Sequence, residues 1–281
     1  MKTQQADVVL ITGASSGIGL TTAVYLAQKG YAVIGTSRSL ARLSELQEQA
    51  KAKGLSVTPA ELDVNSDEDV AAVVPELIAR FGRIDALVNN AGYGLWGPLQ
   101  GLSSEELRAQ FETNVFAAFR MAKAVLPNML ERRHGTIINV SSVAGRVATP
   151  FNGAYVASKF ALEGMSESLR QELWPYGICV AVVEPGLFRT DFYDESQVVG
   201  ENALSPDLPY QAAVERYRRK HGNILRFSHD PIVVAKVIHK AIRSRNPASR
   251  YPVGIEAWLG VMGVRFIPSR IFQAMVRRSI M

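Results

Sequence analysis

The chain has 281 residues, of which 47% are hydrophobic and 20% charged, and its formal net charge is +5. A chain of this length can bury the core of one large α/β domain without disulfides or metals, so we expect a single domain over residues 1–281. The one cysteine, Cys179, excludes an intramolecular disulfide, and its apolar neighbours predict a small buried side chain.

The positive charge is concentrated near the carboxyl end. From residue 243 onward the chain has seven arginines and one acid, Glu256. Such a segment can meet nucleic acid, anionic lipid or an acidic partner, but a solvated face is the favoured interpretation, and we expect no nucleic-acid partner.

The sequence also bears on location. The polar first residues run into an apolar stretch too short for a signal peptide, and no uncharged stretch approaches the ~20 residues of a membrane-spanning helix. We therefore expect a cytoplasmic protein, with a membrane-peripheral location as the alternative.

Short β-branched runs alternate with longer amphipathic stretches along the chain, which predicts a parallel sheet with crossover helices. The predicted strands are residues 8–11, 32–35, 57–58, 86–88, 136–140 and 180–183. Helical spacing covers residues 68–81, 103–132 and 153–174, and the second of these opens on a predicted capping box at residues 103–106. Several strands are apolar on both faces, so the predicted fold class is a doubly wound, three-layer αβα Rossmann sheet.

Two segments break this alternation. Residues 191–230, rich in Tyr, Arg, Gly and Pro, predict a partly helical insertion that covers a substrate. Residues 255–281 form a basic amphipathic segment, for which packing on the core or on a second subunit is favoured over contact with lipid.

A glycine-rich turn follows the first strand and leads directly into a helix. Its spacing is G-x-x-x-G-x-G, and such a turn lets backbone amides approach a pyrophosphate at the positive end of the helix. The predicted pyrophosphate residues are Gly13, Ser15, Ser16, Gly17, Ile18 and Gly19.

The ends of the next strands predict the rest of a dinucleotide site. Where an NAD site usually has a carboxylate, the second strand ends in Ser37 and Arg38, which suit the 2′-phosphate of NADP. Asp63 and Val64 follow the third strand and could meet adenine. After the fourth strand, the small residues at positions 90–92, Asn90, Ala91 and Gly92, would lie beside the ribose.

A candidate catalytic group lies in the middle of the chain. Tyr155 and Lys159 are four residues apart on one predicted helix face, where a lysine cation favours ionisation of the phenol. Ser142, at the end of the fifth predicted strand, can reach the same substrate oxygen if that strand lies against the helix.

These motifs together resemble the short-chain dehydrogenase/reductase superfamily. The matching positions are residues 12–19, 89–92, Asn114, Ser141, Ser142, 155–159, Pro185, Gly186 and Thr190. The resemblance implies an NADP(H)-dependent alcohol dehydrogenase or carbonyl reductase.

The resemblance also implies a role for each matching residue. Tyr155 would be the acid/base, Lys159 would bind the nicotinamide ribose and lower the pKa of the tyrosine, and Ser142 would orient the carbonyl. Asn114 would hold a water that links Lys159 to solvent. Pro185, Gly186 and Thr190 would border the nicotinamide carboxamide.

Residues 89–94, the insertion and the segment beginning at residue 250 are similar to a subgroup related to 17β-hydroxysteroid and retinol dehydrogenases. That likeness implies a bulky apolar alcohol or ketone that is steroid-, retinoid- or lipid-like. The candidate pocket residues are Tyr93, Leu95, Trp96, Val143, Phe151, Leu187, Phe188 and Phe192.

The remaining expectations concern an alternative function, the oligomeric state and metal binding. A protein of this fold could instead sense NADP(H) and signal through its basic carboxyl segment, although the intact catalytic group argues against it. We expect a homodimer or homotetramer. The four histidines are scattered without metal-ligand spacing, so no metal is expected.

Overall fold

The architecture is taken from a computed structural model, which describes residues 6–190, 197–225 and 228–280. Its strands are β1 (Val8–Thr12), β2 (Ala32–Ser37), β3 (Val57–Glu61), β4 (Ala86–Asn89), β5 (Gly94–Trp96), β6 (Gly135–Val140), β7 (Ile178–Pro185), β8 (Gln197–Val199) and β9 (Arg250–Val253). Its α-helices are α1 (Gly17–Gln28), α2 (Ser44–Ala52), α3 (Asp67–Phe81), α4 (Ser104–Phe111), α5 (Ala117–Arg132), α6 (Gly153–Leu173), α7 (Gln211–Leu225), α8 (Ile232–Arg243), α9 (Ile255–Phe266) and α10 (Ser269–Ile280).

In the described residues, seven parallel strands form one sheet in the order β3-β2-β1-β4-β6-β7-β9. β1, β4 and β6 are buried throughout, because helices cover both faces of the sheet. One apolar core lies between the sheet and helices α1 and α8, and a second lies between the sheet and helices α3 and α5. The expected doubly wound αβα fold is confirmed.

All six predicted strands are present, as β1 to β4, β6 and β7. The sequence reading missed β9, which pairs with β7 at the edge of the sheet, and it missed the small parallel pair of β5 and β8. A proline is tolerated in β9 because an edge strand has a free hydrogen-bonding side.

The helix expected over residues 103–132 is divided. α4 begins with the expected capping box, in which the Glu106 amide donates to Ser103 Oγ at 3.0 Å and the Ser103 amide to Glu106 Oε2 at 2.8 Å. A π-helical turn, Glu112–Phe116, then separates α4 from α5. Such π-turns are rare single turns within longer helices, so the helical spacing on either side of this one still predicts a single helix.

The expectation that the Cys179 side chain is buried was wrong. Its side chain is half-buried on β7, and Sγ lies 3.7 Å from the carbonyl oxygen of Arg245. Burial raises the pKa of this thiol.

At the carboxyl end, α9 and α10 are consecutive helices separated by a short break at Pro268. None of the helices in the described ranges is both long and apolar enough to cross a membrane.

Candidate active site

The predicted cofactor residues of the strand ends and Ser142 lie at or just after the ends of β1, β2, β3, β4, β6 and β7, at the carboxyl edge of the sheet. Strand order reverses between β1 and β4, since β1 leads outward to β2 and β3 while β4 leads to β6 and β7. In open α/β sheets a ligand binds in the crevice at this switch point.

The glycine turn has the backbone geometry that glycine permits. Gly13 and Gly17 have φ of 65° and 54°, in the left-handed region. A Cβ on Gly19 would collide with the carbonyl oxygen of Gly13. Asn90 fixes the turn, because its Nδ2 donates to the carbonyl oxygens of Thr12 at 3.1 Å and Gly13 at 2.9 Å. The turn is therefore locked to the end of β4.

The amino end of α1 fits a pyrophosphate. Ser16 is its extended N-cap residue, yet the Ser16 side chain makes no capping hydrogen bond, and the first turn has no acidic residue. Ser15, Ser16, Gly17 and Ile18 are all partly exposed. The hydroxyl of Ser16 and the amides of the first turn can thus accommodate an anion at the positive end of the helix.

The predicted cofactor residues at the ends of β2 and β3 differ in their exposure to solvent. Ser37 is buried, whereas Arg38 is exposed and makes no ion pair with the residues that the structure describes. The Asp63 carboxylate accepts a hydrogen bond from the Asn65 amide at 3.0 Å. Val64 is buried and its carbonyl oxygen accepts from Arg120 at 2.8 Å. Arg38 is free to meet a phosphate, and Asp63 and Val64 follow β3 at the same edge of the sheet.

Tyr155, Ser142 and Lys159 meet between β6 and α6. Tyr155 shares a side-chain hydrogen bond with Ser142, whose Oγ accepts from the Ala144 amide at 3.1 Å. Lys159 is buried, and its Nζ donates to the carbonyl oxygen of Val140 at 3.0 Å and lies 5.7 Å from the centroid of the Tyr155 ring. The structure therefore brings these three predicted side chains together.

The pKa of Tyr155 is shifted in the direction opposite to the expected one. Burial raises the pKa of Tyr155 to about 12, against a lowering by the hydrogen bond to Ser142. Burial lowers the pKa of Lys159 to about 8, and the Glu163 carboxylate partly opposes that lowering. The expectation of a lowered tyrosine pKa was therefore wrong for this structure, because desolvation dominates. At neutral pH the phenol holds its proton and can serve as an acid.

Asn114 lies on the π-helical turn and supports the same group. Its Nδ2 donates to the Tyr93 carbonyl oxygen at 2.9 Å and to Ser158 Oγ at 3.0 Å, and its Oδ1 accepts from the Tyr93 amide at 3.0 Å. A Cβ on Gly92 would lie 3.0 Å from this Oδ1 and 3.7 Å from Lys159 Nζ. The expected water at Asn114 stays a prediction.

The residues expected around the nicotinamide lie at the end of β7 and just after it, between Ser142 and the glycine turn. Pro185 ends β7, and its carbonyl oxygen lies 3.4 Å from Ser142 Oγ. The Gly186 amide donates to Val253 on β9 at 2.9 Å. Thr190 lies against the glycine turn, since a Cβ on Gly17 would be 3.2 Å from the Thr190 Cβ.

The pocket candidates divide into three groups. Tyr93, Val143 and Leu187 are partly exposed near the catalytic group. Leu95, Trp96, Phe151 and Phe188 are buried, so they belong to packed cores and not to an open wall. Phe192 lies outside the described residues.

Helix α7 of the insertion explains part of this burial. Val214 and Tyr217 on α7 pack against Trp96 and Phe151, and Asn152 Nδ2 donates to the Tyr217 hydroxyl at 2.6 Å. Phe151 has a left-handed φ of 62°, a costly conformation for a bulky residue. The insertion thus packs close to the start of the helix that carries Tyr155.

A buried charge cluster behind the catalytic group was missed by the sequence reading. Glu184 on β7 is fully buried, and its Oε1 lies 3.1 Å from Arg146 Nη1 and 3.6 Å from Arg250 Nε. Glu163 on α6 is 5% exposed and pairs with the same Arg250 Nε at 2.9 Å. Burial, followed by the charge of Glu163, raises the pKa of Glu184 to about 7, against the two arginines.

A sequence signal for this cluster did exist. Glu184 stands within the buried apolar strand β7, and a carboxylate there requires charged partners. In the described ranges, this cluster included, no group of three His, Cys, Asp or Glu side chains is placed to hold a metal ion.

Comparison with known proteins identifies the family. Residues 7–198 match the family model described as short chain dehydrogenase. The chain belongs to the short-chain dehydrogenase family.

Three curated relatives of this short-chain dehydrogenase are named for apolar substrates. It is 38% identical to 3-ketodihydrosphingosine reductase of Bacteroides thetaiotaomicron, over 89% of this chain and 88% of the relative. It is 43% identical to retinol dehydrogenase 8 of Bos taurus, over 86% and 80%. It is 39% identical to estradiol 17-beta-dehydrogenase 1 of Rattus norvegicus, over 88% and 73%. These relatives place the chain with the steroid- and retinol-like members of the family.

Two solved structures resemble the short-chain dehydrogenase described here. One, from Streptomyces avermitilis, is itself named a short-chain dehydrogenase; it has a TM-score of 0.83 and 34% identity, and the match covers 98% of this chain and 96% of that one. The other is a single-substitution variant of actinorhodin polyketide ketoreductase with NADPH. Its TM-score is 0.76 at 29% identity, with 89% and 96% covered.

Proposed function

We propose that this enzyme interconverts an alcohol and a ketone or aldehyde, with NADP(H) as the hydride carrier. The observation that carries the proposal is the hydrogen bond between Tyr155 and Ser142 beside the buried ammonium of Lys159. This arrangement offers a proton and a second hydroxyl to one substrate oxygen, which is what carbonyl reduction requires from the protein.

The crevice supports NADP(H) as the cofactor. Gly19 leaves no room for a side chain against the Gly13 carbonyl, and the N-cap hydroxyl of Ser16 makes no capping hydrogen bond. The exposed Arg38 suits a 2′-phosphate, since its guanidinium can clamp phosphate oxygens. The ketoreductase described above, which has the same fold, was crystallised with NADPH. When bound, the nicotinamide would supply or accept the hydride.

The chain's own residues supply the proton chemistry. The Tyr155 hydroxyl gives its proton to the carbonyl oxygen during reduction and takes it back during oxidation. Ser142 donates to the same oxygen and orients it. The Lys159 ammonium stabilises the negative charge that Tyr155 acquires after giving up its proton. Asn114 holds the Tyr93 backbone and Ser158 in place around them.

We propose a bulky apolar substrate of steroid, retinoid or long-chain lipid type. Support comes from the names of the relatives and from the insertion, of which helix α7 packs near the start of α6 through Tyr217. Tyr93, Val143 and Leu187 are the candidate wall residues that stay partly exposed. No observation favours the alternative of an NADP(H)-sensing protein.

A substrate panel tests this proposal. Ketones and alcohols, including steroids, retinoids and long-chain acyl compounds, are incubated with the enzyme and either NADPH or NADP⁺, and the NADPH absorbance is followed. Turnover of at least one apolar carbonyl, faster than that of a small polar ketone, is expected. An enzyme that binds NADPH but turns over no member of the panel would contradict the proposal.

We also propose a homo-oligomer that pairs through helices α5 and α6. Phe119 on α5, Phe160 on α6 and Phe116, directly before α5, are each about half exposed, and α5 and α6 border a groove of about 400 Å³ lined in part by Leu162 and Met165. Exposed aromatic side chains beside an apolar groove are typical of an interface between copies. Light scattering on the purified protein tests this, and a monomer at all concentrations would contradict it.

A further inference from the structure

Helix α9 has one face turned to solvent that is almost wholly apolar. Ile255, Trp258, Leu259 and Phe266 are 62%, 54%, 59% and 71% exposed. Spacings of three, four and seven residues put them on one stripe of the helix. A contiguous apolar patch that is exposed on the surface of a protein marks an interaction site.

The opposite face of α9 rests on the catalytic region. Ala257 and Val261 are buried, and a Cβ on Gly260 would lie 3.1 Å from Val143, the residue after Ser142. A Cβ on Gly186 would lie 3.3 Å from the Ala257 amide. A single helix, about 10 Å thick, therefore separates the exposed stripe from the active site.

The surroundings of the stripe are strongly positive. Arg265, Arg270, Arg277 and Arg278 are all exposed on or next to α9 and α10. The one acid in this part of the sequence, Glu256, lies 3.1 Å from His229 and is thus already engaged.

Helix α10 continues the same character. Ile271 and Met275, one turn apart, are 55% and 52% exposed, while Phe272 packs on Gly263 of α9. We refer to the exposed apolar residues and the four arginines of both helices as the α9–α10 face.

We propose that the α9–α10 face docks on the surface of an anionic lipid bilayer. Its apolar side chains would enter the interfacial region and its arginines would meet lipid phosphates, the pattern of interfacial helices. The docking itself is independent of the proposed reaction. Its benefit rests on the proposed function: an apolar substrate dissolved in the bilayer would leave it one helix away from Tyr155.

The positive charge of the α9–α10 face favours a lipid bilayer over a second copy of the chain as its partner. A symmetric contact would bring the same arginines of both copies together, so the two copies would repel. The α5–α6 groove lacks such an excess of arginines among its lining residues and is the better face for self-association.

Vesicle sedimentation tests the proposal. The purified full chain is mixed with vesicles of phosphatidylcholine alone or of phosphatidylcholine with phosphatidylglycerol, at low and high salt. The wild type is expected to bind the anionic vesicles, with binding weakened by salt because exposed charges are screened. A blue shift of tryptophan fluorescence should accompany binding, since Trp258 is on the face.

Two variants locate the contact. Trp258→Ser with Leu259→Ser should weaken partitioning at least about tenfold, because it removes the apolar contact. Arg277→Gln with Arg278→Gln should weaken it by roughly fivefold for each arginine. Trp174→Ser is the matched control, because Trp174 is also 54% exposed but lies on the 3₁₀ turn after α6. It should bind as the wild type does.

The following results of the vesicle-binding experiment would overturn or redirect the docking proposal. No binding by the wild type, equal binding to neutral vesicles, or equal loss in the Trp174→Ser variant would overturn the proposal. A change in oligomer mass in the Trp258→Ser/Leu259→Ser variant would show that the face binds protein instead. Turnover of a water-soluble ketone is measured in parallel and should be unchanged in both face variants. Vesicle binding without turnover by any variant or the wild type would reject the proposed function and leave the docking intact.

Discussion

Replacing Glu163 with glutamine should move the alkaline limit of catalysis to lower pH. Burial lowers the pKa of Lys159 to about 8, and Glu163 is the group that opposes the lowering. The ammonium is present below this pKa and is lost as pH rises through it. If catalysis needs the ammonium, reduction by the wild type should decline above a pH of about 8.

The size of the shift can be worked from the geometry. Glu163 is one helical turn from Lys159, a separation of about 6 Å between side chains. Two unit charges at that distance interact by about 2.8 kcal/mol at an effective dielectric constant of about 20, equivalent to about two pH units. Arg250, 2.9 Å from Glu163, offsets part of that field. We expect a decrease of about one pH unit, because an adjacent opposite charge typically shifts a pKa by about one to three units.

The assay is kcat for ketone reduction by NADPH between acidic and alkaline pH, at constant ionic strength. Glu167→Gln is the matched control: Glu167 also pairs with Arg250, at 3.0 Å, but lies two turns from Lys159 and is 57% exposed. It should leave the alkaline midpoint unchanged. The same midpoint in wild type and Glu163→Gln, or an equal shift in the control, would refute the reasoning.

Three other variants test separate parts of the account. Arg38→Asp should lower kcat/KM for NADPH by about 10- to 150-fold while NADH is unaffected or improves, as expected for loss of a contact of roughly 1.5–3 kcal/mol; an unchanged cofactor ratio would show that Arg38 points elsewhere. Gly19→Ala should weaken NADPH binding, measured by calorimetry, because its Cβ collides with the Gly13 carbonyl; wild-type affinity would contradict the tight turn. Glu184→Gln should remove a pH dependence of stability measured by urea unfolding. The raised pKa of Glu184, about 7, means that ionisation opposes folding, so the wild-type free energy of unfolding should fall relative to the variant as pH rises from about 4.5 to about 7. A difference independent of pH would contradict this assignment.

Most of the sheet and the catalytic group could be predicted because they have local signals. Apolar β-branched runs locate β1, β4 and β6, and a buried parallel sheet requires such runs. The turn at residues 12–19 and the spacing of Tyr155 and Lys159 depend on neighbours in the sequence. The structure brings Ser142 to Tyr155 as the pattern predicted.

The features that were missed depend on contacts distant in sequence. Strand β9 is short, half-buried and contains a proline, so pairing with β7 and not its composition makes it a strand. From its sequence neighbours alone, Glu163 would be interpreted as a solvated residue on a helix. Only the structure shows that Arg250 pairs with it and also lies near Glu184. The raised pKa of Tyr155 likewise comes from burial, which the spacing to Lys159 does not reveal.

The pocket could be predicted only in part for a similar reason. Trp96 and Phe151 are next to the site in sequence, but helix α7 covers them with Tyr217, so they pack as core. The path of an insertion is set by such packing and not by local pattern.

The central claim is that Tyr155 transfers the proton in a reaction that uses NADPH. The most direct measurement compares wild type and Tyr155→Phe for NADPH consumption with the best carbonyl of the panel, and for NADPH affinity by calorimetry. If Tyr155 transfers the proton, the substitution should lower kcat by about 10²- to 10⁴-fold, the usual contribution of a positioned acid/base, and leave the affinity nearly unchanged. A variant that keeps more than about a tenth of the wild-type kcat, well outside that range, would contradict it.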